Sequence, residues 1–112
     1  MSEKGQHFVT YYDNGQKMSE YICTKGKITG LAASWFPNGY IRSHTDYKDG
    51  KRHGTHREYH NNYQLKIEHR YINDVMTYSA EYNSNGISTG KQKHNILKTL
   101  LIRLLGQVNK II

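Results

Sequence analysis

The sequence predicts a mainly β protein: one twisted antiparallel meander of β-hairpin repeats, with a single C-terminal amphipathic α-helix packed on a face. Three observations carry this expectation. A block of residues recurs every 24 positions, residues that tolerate positive φ recur at the places where hairpins must reverse, and the apolar period changes from strand-like to helix-like at Asn95.

The repeat is clearest around Gly30–Gly54. Trp35 and Phe36 map onto Tyr11 and Tyr12 in one direction and Tyr59 and His60 in the other, at a spacing of 24 residues. Asn38 maps onto Asn14 and Asn62, Gly50 onto Gly26 and Asp74, and Gly30 onto Gly54 and Tyr78. A shortened fourth copy places Tyr82, Asn85 and Gly86 one residue early. A unit this short is one supersecondary element and gains its stability by stacking on its neighbours.

Each copy reads as a hairpin. Asn14-Gly15, Asn38-Gly39 and Asn85-Gly86 are strong reversal signals because both residues accept positive φ. Lys25-Gly26, Asp49-Gly50 and Asn73-Asp74 mark the second reversal of each copy. Runs of five to seven residues rich in Tyr, Ile, Thr and Val lie between them, which gives about seven strands. Met1–Gln6 is a polar lead-in, and Pro37 sits at a turn, where a missing N–H does no harm.

Simple alternation assigns the faces. One is expected to carry Val9, Tyr11, Tyr21, Cys23, Ala33, Trp35, Ile41, Tyr47, Arg57, Tyr59, Leu65, Ile67, Tyr71, Ala80 and Tyr82. The other carries Met18, Glu20, Ile22, Arg42, His44, Asp46, Lys66, Glu68 and Arg70. From Asn95, apolar residues from Leu97 to Ile112 fall at helical spacing, with Leu97, Leu101 and Leu104 on the stripe. Seventeen helical residues span about 26 Å at about 1.5 Å each, close to the width of seven strands. The helix is therefore expected to lie on Tyr11, Trp35, Tyr59 and Tyr71, which with the three leucines form the structural set. Residues 1–90 make the sheet and residues 91–112 the helix, as one domain.

Tyr11, Tyr12, Asn14 and Gly15, then Trp35, Phe36, Asn38 and Gly39, then Tyr47, Gly50, Lys51 and Gly54 together resemble the MORN-repeat variant of small bacterial antitoxins of the YwqK type. The resemblance spans about Gly5 to Gly90. Tyr63, Asp74 and Tyr78 stand where its glycines would be, which predicts looser or longer turns in the third copy. The resemblance implies a cytoplasmic protein of bacterial or phage origin that binds and neutralises a toxin or other effector. The partner-binding residues are then expected on the solvated face, at Phe36, Arg42, His44, Lys66, Glu68 and Arg70. Lys51 and Arg52 form a basic turn that raises the association rate.

Charge and composition limit the alternatives. The net charge is +7, and residues 91–112 hold Lys91, Lys93, Lys98, Arg103 and Lys110 with no acid. Such a helix suits an anionic membrane surface, the competing reading. The rest of the chain is nearly neutral, with 11 Lys or Arg against 9 Asp or Glu in residues 1–90, which argues against nucleic acid. The basic run Lys48–Arg57 reads as an exposed turn. Cys23 is the single cysteine, and no apolar run is long enough to span a bilayer. His56 and His60 share a strand face at i, i+4, about 13 Å apart, too far to hold one ion. With no phosphate loop, nucleophile elbow or paired cysteines, neither an enzyme nor a cofactor is expected. The oligomeric state is left open.

Overall fold

The computed structural model describes residues 5–90, the backbone of Lys93–His94 and a helical turn at residues 102–105. The strands are β1 (Gln6–Tyr11), β2 (Lys17–Thr24), β3 (Lys27–Trp35), β4 (Ile41–Lys48), β5 (Lys51–Tyr59), β6 (Leu65–Ile72), β7 (Val75–Glu81) and the two-residue β8 (Lys93–His94). They form one antiparallel sheet in sequence order, so each strand pairs only with its chain neighbours. This is the expected meander.

The reversals repeat in atomic detail. At the first, the Tyr12 N–H donates to Gln16 O (2.8 Å), the Gly15 N–H to Tyr12 O (3.0 Å), and the Gln16 N–H to Asn14 Oδ1 (3.0 Å). Phe36–Tyr40 and His60–Gln64 reproduce all three bonds. Asparagine is needed here because its side chain closes the turn on itself while its neighbour enters the left-handed region. Copies are also pinned to one another: Tyr12 Oη donates to Trp35 O (2.7 Å), and Asn14 Nδ2 to Pro37 O (2.8 Å). Two copy intervals later, His60 Nε2 donates to Tyr82 O and Asn62 Nδ2 to Ser84 O, both at 2.9 Å.

The third copy does not loosen as expected. Tyr63 and Asp74 adopt φ of 72° and 69°, the conformation that glycine holds elsewhere in the array. Compensating contacts hold each there. Tyr63 stacks on Tyr40 with ring centroids 3.8 Å apart, and the Asp74 carboxylate accepts from both the backbone N–H and Nε of Arg52 (2.8 and 3.1 Å). Tyr78 differs. Where Gly30 and Gly54 open bulges of three residues opposite one, the β6–β7 register shifts by a single residue at Arg70/Tyr71. Tyr78 keeps ordinary backbone angles, so the bulge shrinks instead.

The expected division of faces is overturned. Residues directly opposite across a ladder share a face, and Val9 pairs with Glu20, Ala33 with His44, and Arg57 with Glu68. Tyr21 instead pairs with Phe8, and Tyr71 lies opposite Gly54. The cause is a bulge beside each of the first three asparagine turns, at Thr10/Tyr11, Ser34/Trp35 and Glu58/Tyr59. Each adds one residue, and one residue moves the remaining strand to the opposite face. Ile41 and Leu65, next to the turn, stay with Trp35 and Tyr59 as expected. Tyr21, Cys23, Tyr47, Ile67 and Tyr71 change sides. The Trp35 face therefore carries Tyr11, Trp35 and Tyr59 together with Arg42, His44, Glu68 and Arg70. The Tyr71 face carries the displaced residues.

Two faces of mixed character leave little to bury. Among the described residues only Thr45, Tyr71, Thr77 and Ala80 are buried, and no large side chain is fully enclosed. Trp35 and Tyr59 are half-buried, while Tyr11 is 58% exposed. The shortest Cα extent is 12 Å, the thickness of one layer. In the helical turn Leu104 and Leu105 are 58% and 56% exposed. Leu97 and Leu101, and with them most of the predicted helix, lie outside the described residues. Among the described residues no helix is long and apolar enough to cross a membrane.

Candidate functional site

The central row of the Trp35 face runs Glu20, Ala33, His44, Arg57, Glu68, Ala80, each directly opposite the next. Glu68 is its pivot. It accepts from Arg57 Nε (2.8 Å) and Arg70 Nη2 (3.3 Å), one acid between two guanidinium groups. The Glu68 hydrogen bond raises the Arg57 pKa further above its ordinary value. Arg70 also lies over the Tyr78 ring, 4.4 Å from its centroid. His44 Nε2 meets Tyr59 Oη at 3.2 Å, and the two rings are 5.8 Å apart. The half-buried aromatic and aliphatic stems hold these cations at fixed spacing while their polar ends face solvent.

Four of the six expected binding residues share this face: Arg42, His44, Glu68 and Arg70. Phe36 sits where the strand enters the asparagine turn, half-buried, with the Arg42 guanidinium 5.8 Å from its ring centroid. Lys66 is exposed, and its carbonyl accepts the Tyr82 N–H (2.9 Å). Lys51 is exposed at the start of β5. Arg52 is not the free turn cation expected beside it. Its guanidinium is held by Asp74 and lies 4.2 Å from the centroid of the Tyr71 ring, on the opposite face.

Arg57 and Tyr78 were not anticipated, because alternation alone put Arg57 on a packed face. Arg57 keeps its place beside Trp35 and Tyr59, and the bulge at Glu58/Tyr59 brings Glu68 and Arg70 onto the same face. Beside the turn, Tyr11, Gly15, Gln16, Lys17, Trp35 and Gly39 line an open cleft of about 470 Å³. The Lys17 ammonium lies 5.6 Å from the Trp35 ring centroid and binds Glu20 at 3.2 Å.

The Tyr71 face is more self-contained. His56 accepts from Thr45 Oγ1 at Nδ1 (2.6 Å) and donates from Nε2 to Glu58 (2.9 Å), so both ring nitrogens are used. Its neighbour is His69, directly opposite with ring centroids 5.9 Å apart, rather than His60. The Tyr71 hydroxyl and His69 Nδ1 are hydrogen-bonded at 3.3 Å. Among the described residues no group of three or more His, Cys, Asp or Glu is placed to hold a metal ion.

Burial lowers the pKa of His44, reinforced by the Arg57 charge; burial likewise lowers that of His69, reinforced by His56. The unfolded chain therefore takes up these protons first on acidification. The histidine contribution to stability is complete above pH 6.5, the ordinary histidine value, and is lost as pH falls below it. Urea midpoints between about pH 7.5 and 5.5 should fall with pH, and His44→Gln or His69→Gln should each flatten the slope. A midpoint independent of pH over that window contradicts this account.

Comparison with protein-family models, curated proteins and solved structures finds no match to this chain.

Proposed function

We propose that this chain is a non-catalytic protein-binding module on MORN-type repeats, an antitoxin, immunity or inhibitor protein that neutralises a partner in the cytoplasm. The observation that carries the reading is the arrangement around Glu68. Arg57, Arg70, His44, Tyr59 and Tyr78 are already fixed to one another on a solvent-facing sheet. A patch ordered before binding loses little conformational entropy when a partner docks. Arginine and aromatic side chains are also the types that anchor protein interfaces. A partner presenting carboxylates at strand spacing would exchange with Glu68 for the two guanidinium groups.

The test is affinity capture from the source cell, with the native chain and its Phe36→Ala, Arg42→Ala and Arg70→Ala variants as parallel baits. A partner that co-purifies with the native chain should dissociate about 10-fold faster from Arg70→Ala, the effect of removing one anchor worth about 1.4 kcal/mol. Lys51→Glu should chiefly slow its association. If every captured protein binds these three variants as well as the native chain, the reading fails.

The exposed Leu104 and Leu105 favour a second reading, in which the basic helix lies on a membrane surface. Co-sedimentation with phosphatidylserine vesicles but not phosphatidylcholine vesicles, abolished by Leu104→Asp, would establish it. Absence of co-sedimentation at low salt would remove it.

A further inference from the structure

We propose that two copies of this chain associate through β1, their edge strands pairing antiparallel in a register centred on Phe8. The eight-strand order begins with β1, so among the described residues one side of its backbone meets β2 while the other faces outward. An outward strand edge is a template for another strand, and proteins that stay monomeric usually guard it with lysine, proline or brevity. The opposite edge, β8, is two residues long. β1 spans six residues, Gln-His-Phe-Val-Thr-Tyr, with no Lys, Arg, Asp, Glu or Pro. Its one titratable residue besides Tyr11 is His7, which is already bound to Glu20 at 2.6 Å.

The register follows from the bulge. Regular pairing in β1 runs from Gln6 to Thr10 and is broken at Tyr11, so the straight segment has Phe8 at its midpoint. A two-fold axis normal to the sheet beside Phe8 pairs it with Phe8 of the second copy, His7 with Val9, and Gln6 with Thr10. No charge meets a like charge. The axis also keeps each face continuous, with the Trp35 faces of both copies on the same side. Phe8 is prepared for this. Its ring stacks on Tyr21 with centroids 5.2 Å apart and planes 17° from parallel, and it remains 39% exposed. Pairing would extend that stack into a row of four rings across the joint. The result is a doubled sheet presenting two copies of the Glu68 patch to one side.

The joint is small, five residue pairs, so association should be reversible and concentration-dependent. Sedimentation equilibrium of the full chain between about 1 and 500 μM should show monomer passing to dimer across the range typical of small interfaces. Phe8→Lys puts two ammonium groups at the axis and should hold the chain monomeric, with an unchanged circular dichroism spectrum. Register is read separately in a Cys23→Ser background. Phe8→Cys should be joined to its counterpart by a short bismaleimide. Thr10→Cys, about 14 Å from its own counterpart at about 3.4 Å per residue, should not. A native chain that stays monomeric at the highest concentration overturns the proposal. So does a dimer that survives Phe8→Lys but dissociates in Leu104→Asp, and so does equal coupling of the two cysteines.

Discussion

Tyr71→Ala should cost about 3 kcal/mol or more, the largest loss expected from any single truncation in the sheet. Tyr71 is 6% exposed and is the one aromatic among the described residues that is buried. It lies directly opposite Gly54. The Arg52 guanidinium covers it at 4.2 Å, and its hydroxyl reaches His69 at 3.3 Å. Removing the ring opens a void in a layer that has no second layer to collapse inward. At a slope of about 2 kcal/mol per molar urea, the midpoint should drop by about 1.5 M. Tyr71→Phe isolates the hydroxyl and should cost only about 1 kcal/mol. Equal losses in the two variants would mean that the hydroxyl, and not the ring, stabilises this region.

Gly54→Ala should be nearly as costly, about 3 kcal/mol, although it adds a single methyl group. Its φ is +120°, and a Cβ there would stand 2.8 Å from Asp46 Oδ2 and 3.0 Å from Asp46 Cβ. Asp46 cannot simply swing away, because Oδ2 accepts the Thr55 N–H at 3.2 Å and holds the bulge closed. Backbone strain and a lost hydrogen bond therefore add together. Gly15→Ala is the control. Its φ is +87°, but nothing lies within 4 Å of the added Cβ, so only the backbone term of about 1 kcal/mol remains. Gly54→Ala proving no worse than Gly15→Ala in urea unfolding would show that the Asp46 contact carries no weight.

Hairpins, reversals and strand order were legible in the sequence because each depends on local chemistry. Asn14, Asn38 and Asn62 close their turns with their own side chains, and Gly26 and Gly50 take the angles their neighbours require. The faces were not legible, because a side chain's face depends on the count of residues back to its partner strand. One extra residue at Met18, between Lys17 opposite Tyr11 and Ser19 opposite Thr10, reverses the rest of β2. The candidate site shows the same division. Arg42, His44, Glu68 and Arg70 were recognised by chemical type, whereas Arg57 and Tyr59, which complete the patch, were assigned to the wrong neighbours. Tyr63 and Asp74 illustrate a third limit. Their unfavourable angles are offset by Tyr40 and Arg52, each more than twenty positions away in sequence.

Because every strand pairs only with the strands beside it in the chain, no part of the sheet needs to know how long the sheet is. Loop closures stay short throughout, so assembly can proceed hairpin by hairpin from any starting copy without a distant partner having to arrive first. The same wiring makes the number of hairpins a quantity that evolution can change by duplicating or dropping a whole 24-residue unit. What such a change alters is the width of the surface on offer. The geometry within each rung, and so the kind of chemistry a partner meets there, is inherited intact.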